Sequence, residues 1–143
     1  MENKKKKLFI HIGLHKTGTS SIQLFLHQNR ESILSNHGIY YMPVPKDDLA
    51  PEQHRFLNRL MEKDESEFYA YFLKNIDVSD KFIISSECFV EKKIFCEKLS
   101  TLKNLFHQIN ILVGLRRQDY WLESLYRFRV TYNNGKRLTI SFD

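Results

Sequence analysis

The sequence predicts an α/β fold in which a parallel sheet is flanked by helices. Three observations lead there: short apolar runs alternate with helical stripes, the runs end in polar or small residues, and Gly- or Pro-containing segments separate them. Alternation of this kind is satisfied by right-handed crossovers between parallel strands, with ligands bound beyond the strands' C-terminal ends. The 143 residues suffice for one such core.

Leu8 to Ile12 is the first apolar run and ends at Gly13, as a buried strand entering a loop does. From Ser20, the residues Ile22, Phe25, Leu26, Ile33 and Leu34 recur at helical spacing, and His37-Gly38 supplies a stop. Gly38 to Met42 then reads as a second strand leaving into a loop with Pro43 and Pro45, and Pro51 is placed to open the next helix. Phe56, Leu57, Leu60 and Met61 make one amphipathic patch and Phe68, Phe72 and Leu73 another. The acidic stretch Glu62 to Glu67 between them leaves one helix or two open.

Phe82 to Ser86 is a strand ending at Glu87, followed by a helical stripe of Phe95, Leu99, Leu102 and Phe106. Ile109 to Leu115 is the fourth strand. Trp121, Leu125, Phe128 and Tyr132 trace a last helix that closes at Asn134-Gly135.

Composition narrows the class. An apolar fraction of 42% and a charged fraction of 27% are those of a globular protein, and no run approaches the roughly 18 apolar residues of a membrane span. No cleavage site follows Leu14, so a cytoplasmic location is expected. Much of the net charge of +5 comes from Lys4 to Lys7, read with residues 1–7 as a solvated basic tail ahead of a single domain, 8–143. Cys88 and Cys96 lack zinc-site spacing and read as buried thiols. His11 and His15 fall on a strand and a loop rather than on one helix face, so no metal site is expected.

The first strand end reads Gly13-Leu14-His15-Lys16-Thr17-Gly18-Thr19-Ser20-Ser21 and leads directly into a helix. Glycines admit an anion close to the backbone, hydroxyls donate to it, the N–H groups of the first helical turn add partial positive charge, and Lys16 adds a full one. Gly13 and Gly18 have the spacing of the nucleoside-triphosphatase loop, but Thr19 stands where that loop has lysine, and no clear strand-end Asp is available for magnesium, although Glu87 could imitate such an acid.

The order Lys16-Thr17-Gly18-Thr19-Ser20 at a strand-to-helix turn is instead similar to the 5′-phosphosulfate loop of sulfotransferases that use 3′-phosphoadenosine 5′-phosphosulfate (PAPS). A second segment, Val113 to Tyr126, carries Arg116 at a strand end and Ser124 eight positions on. It resembles the Leu-Arg-Arg-Gln form of the carbohydrate-type members, in which such a pair clasps the nucleotide's 3′-phosphate. An arginine there suits bidentate phosphate recognition, and a helix hydroxyl completes the hydrogen bonds. Arg117 is a lesser candidate for the same clasp, and surface pairing of these arginines with Asp119 or Glu123 is the competing reading.

The resemblance implies a P-loop-like sheet, PAPS as co-substrate, no required metal, and transfer of a sulfuryl group to a hydroxyl or amine, carbohydrate by family habit. It implies that Lys16, Thr17, Gly18, Thr19 and Ser20 hold the 5′ end, with Lys16 also steadying the leaving phosphate. Glu87 takes the place where some members carry the base; a helix cap or a lysine partner is the alternative for it. Members usually continue with a further nucleotide loop and acceptor elements, so the fold is expected to be incomplete at the C-terminus, which puts the activity of so short a chain in question. Two other classes stay open: a P-loop kinase or nucleotide-binding module, and a non-catalytic nucleic-acid or partner-binding domain using the basic tail. Neither explains both segments together.

Overall fold

The computed structural model describes residues 5–14, 16–45, 48, 50–89 and 93–132, without the side chains of 93–96 and 132. Four strands form one parallel sheet: β1 (Lys7–Gly13), β2 (Ile39–Tyr41), β3 (Lys81–Ser85) and β4 (Gln108–Gly114), in the order β2-β3-β1-β4. β1 pairs with β3 from Lys7↔Lys81 to His11↔Ser85 and with β4 from Lys7↔Gln108 to Gly13↔Gly114. The expected α/β class with a helix-flanked parallel sheet is what the chain adopts.

The strands alternate their side chains between faces, and Leu8, Ile10, Phe82 and Ile84 face one core. Helices α3 (Phe56–Lys63), α4 (Glu65–Asn75) and α5 (Lys93–Leu102) belong to that side, which buries Phe56, Leu57, Met61, Phe68, Phe72 and Leu102. Phe106, just past α5, stacks edge-on against Phe72 and Phe82 with centroids 5.8 and 5.4 Å apart, linking helix layer to sheet. The acidic stretch resolves into two helices. Asp64 leaves the helical conformation (φ −153°), and its carboxylate caps α4 by accepting from the Ser66 and Glu67 amides.

Three expectations are corrected. The single helix read from Ser20 to His37 is two, α1 (Thr19–Gln28) and α2 (Arg30–His37), because Asn29 takes φ −104°, ψ 12° and its side-chain amide donates to the Phe25 carbonyl at 2.8 Å. Ile22 and Phe25 of the stripe that marked this helix are 44% and 59% exposed, while α1 buries Thr19 and Gln23. Pro51 lies in a turn and α3 opens at Phe56. Lys6 and Lys7, assigned to the tail, belong to the domain: Lys7 opens β1, and the Lys6 ammonium donates to the carbonyls of Ile76 and Ser79.

Cys88 is a half-buried free thiol; the side chain of Cys96 and the helix stop at Asn134-Gly135 lie outside the described residues. The final helix, α6, spans Gln118–Tyr132. β4 is a sheet edge with Ile111, Leu112 and Val113 each more than two-fifths exposed. Among the described residues no helix is long and apolar enough to cross a membrane.

Candidate functional site

The loop between β1 and α1 is shaped by two glycines with different tasks. At Gly13 a Cβ would stand 2.2 Å from the Thr19 side-chain methyl, so only glycine lets the first turn of α1 fold back onto the strand end. That contact, on the face opposite Leu8 and Ile10, also explains why α1 presents Thr19 and Gln23 to the sheet rather than its apolar stripe. Gly18 is left-handed at φ 86°, and Lys16 is left-handed too at φ 68°. For a side-chain-bearing residue that conformation costs about 1–2 kcal/mol, held here by the surrounding turn. The Thr17 hydroxyl braces the turn by donating to the Leu14 carbonyl at 2.7 Å.

Beyond the strand ends lies a cleft of about 650 Å³. Lys16, Gly18, Thr19 and Ser20 line it from the loop, Glu87 from the end of β3, Arg116 from the end of β4, and Ser124 from α6. Six of the seven residues singled out for the nucleotide and the one singled out as base therefore share one cavity. Thr17 is the exception: it lines a neighbouring hollow of about 200 Å³ with Leu14, Arg116 and Trp121, and its hydroxyl serves the turn.

The two motif segments are in direct contact. The Arg116 guanidinium donates to the backbone carbonyl of Lys16 at 3.1 Å, across 100 positions of sequence. Arg117 turns away: it forms a bidentate pair with Asp119, at 2.7 and 2.5 Å, and lies over the Tyr120 ring. Surface pairing thus describes Arg117 and not Arg116, and Glu123 takes Arg127 as its partner. The pairing with Arg117 holds the Asp119 carboxyl below the usual carboxylate range.

Three residues in the cleft were not singled out from sequence: Gln53, Arg55 and Phe128. Phe128 follows Ser124 by four positions, so both occupy one face of α6, and the Lys16 ammonium sits 3.8 Å from the Phe128 ring centroid. Its place in an apolar stripe concealed that role. Gln53 and Arg55 are brought in by His54, which is fully buried between them. The His54 ring bonds the Met42 carbonyl through Nε2 at 2.8 Å and accepts the Ser85 amide at Nδ1 at 3.1 Å, while its own backbone amide donates to the Ser85 carbonyl. The 51–55 segment is thereby pinned to the ends of β2 and β3. Nothing in the local sequence pattern marked this.

Among the described residues the cleft carries three cations, Lys16, Arg55 and Arg116, against the single carboxylate of Glu87, an excess suited to an anionic ligand. The first turn of α1 lines the same cavity with Thr19 and Ser20, and its leading N–H groups have no acceptor within the helix. Among the described residues no group of three His, Cys, Asp or Glu is placed to hold a metal ion. The chain matches no family model, no curated protein and no solved structure.

Proposed function

We propose that this chain forms the nucleotide-binding part of a PAPS-dependent sulfotransferase with a P-loop-like sheet, acting on a hydroxyl or amine of a carbohydrate acceptor. The observation that carries the reading is the contact between Arg116 and the Lys16 carbonyl. It joins the loop that resembles a 5′-phosphosulfate site to the strand end that resembles a 3′-phosphate clasp, with Ser124 in the same cleft. Two phosphates on opposite ends of one nucleotide require two anion sites so joined, and a triphosphate loop alone does not.

In this reading Lys16, the hydroxyls of Thr19 and Ser20 and the first-turn amides of α1 receive the 5′ end, and Arg116 with Ser124 receives the 3′-phosphate. Thr17 acts by holding the turn. PAPS supplies an activated sulfuryl group. Transfer forms a bond between the acceptor oxygen and sulfur and breaks the bond between sulfur and the bridging phosphate oxygen. The electron pair stays on that phosphate beside Lys16, and the acceptor proton passes to the Glu87 carboxylate. Phe128 steadies the Lys16 ammonium within the cleft.

Release of adenosine 3′,5′-bisphosphate from PAPS in the presence of a mixed hydroxyl-acceptor pool tests the assignment. Glu87→Gln is expected to lower turnover by about 10²–10⁴-fold and to leave bisphosphate affinity within about twofold of the parent. Equal turnover by the variant removes Glu87 from the reaction.

A further inference from the structure

Arg55 is the cation that the nucleotide reading does not use. It is exposed, it lines the cleft, and among the described residues its guanidinium has no hydrogen-bond or ion-pair partner. Its position is nevertheless fixed, since the preceding residue is the buried His54, bonded to Met42 at the end of β2 and to Ser85 at the end of β3. Gln53, on the other side of His54, lines the same wall.

The strand order gives the cleft a direction. From β4 to β2 the sheet's C-terminal rim carries Arg116, then the Lys16 loop after β1, then Glu87 after β3, then the His54-pinned segment spanning the ends of β3 and β2. A nucleotide held between Lys16 and Arg116 spans the β1 and β4 ends. Arg55 lies on the other side of the loop, with Glu87, where the acceptor must enter to deliver its proton. Arg55 and Glu87 line the same cleft, so one acceptor can meet both.

We propose that Arg55, assisted by Gln53, forms an acceptor subsite for a carboxylate or sulfate carried on the same or the adjoining ring as the reacting hydroxyl. The inference rests on the sulfotransferase reading for its geometry. A guanidinium is suited to both anions because its planar fork meets two oxygens at once, and the Gln53 amide supplies a further donor.

The test is NMR titration of the full chain, with and without adenosine 3′,5′-bisphosphate, using methyl β-glucuronide, methyl β-glucoside 6-sulfate and the neutral methyl β-glucoside. At least one anionic sugar is expected to bind about tenfold or more tightly than the neutral one. Arg55→Gln is expected to remove that preference while leaving bisphosphate affinity within about twofold. Equal or absent binding of the three sugars by the parent overturns the subsite, and so does a loss of about tenfold or more in bisphosphate affinity on Arg55→Gln, which would place Arg55 on the nucleotide. If the chain fails to bind bisphosphate yet still prefers an anionic sugar through Arg55, the anion subsite stands and the sulfotransferase reading falls.

Discussion

Arg116→Ala is expected to weaken binding of adenosine 3′,5′-bisphosphate by roughly tenfold to a hundredfold, the range for losing a charge-assisted hydrogen-bonding partner. 5′-AMP, which lacks the 3′-phosphate, should lose much less. The difference between the two nucleotides isolates the clasp from the bracing that Arg116 gives the loop through the Lys16 carbonyl, since bracing is lost for both. Arg116→Lys keeps the charge but not the planar fork and should fall between the parent and the alanine variant. Equal losses for both nucleotides would mean that Arg116 is a strut of the loop and nothing more. Titration of the three proteins with the two nucleotides decides it.

Acid should destabilise the domain well above the usual carboxylate range, through His54. Its ring is fully buried, and burial pushes its pKa from the ordinary 6.5 down to about 4 against the opposing help of its backbone hydrogen bonds. Protonation would also place a second N–H against the Ser85 amide that Nδ1 now accepts. The unfolded chain takes up this proton below about pH 6.5 and the folded chain does so only near pH 4. Stability is therefore fully present above 6.5 and falls as the pH drops through the window between them, by about 3 kcal/mol in all. His11, lowered by burial and bonded through Nδ1 to the Ser85 hydroxyl at 2.7 Å, acts in the same direction.

Denaturant unfolding across that window should show the decline, and the His54 ring resonances should stay those of a neutral imidazole down to about pH 4. A ring that titrates near 6.5 would show that His54 is not sealed between β2 and β3, and the fixed position of Arg55 would go with it.

Much of the fold was legible because its signals are local. The apolar runs ending at Gly13, Ser85 and Gly114 mark strands whatever surrounds them, and the residues just beyond are where a parallel sheet collects function. The orientation of α1 was not legible, because it is set by a contact between Gly13 and Thr19 that no helical periodicity reports. Asn29 divides the predicted long helix through a side-chain bond to its own preceding turn, an option that Asn has and that spacing alone cannot weigh.

At the candidate site, Lys16, Arg116 and Ser124 were singled out through motif order, and the fold gathers them in one cleft. Arg55 and Gln53 escaped because their place depends on a buried histidine bonding two strand ends, Met42 and Ser85, that lie 12 and 31 positions from it in the chain, a tertiary fact. Phe128 was read only as part of a helical stripe, since an aromatic at helical spacing carries the same signature whether it faces a sheet or a lysine.

The most direct measurement is calorimetric titration of the chain with adenosine 3′,5′-bisphosphate in EDTA, beside ATP with magnesium and a Lys16→Ala variant. The sulfotransferase reading predicts metal-independent binding that prefers the 3′-phosphorylated nucleotide and is lost in the variant. Preference for ATP with magnesium, or no binding of the bisphosphate by a folded chain, would contradict it.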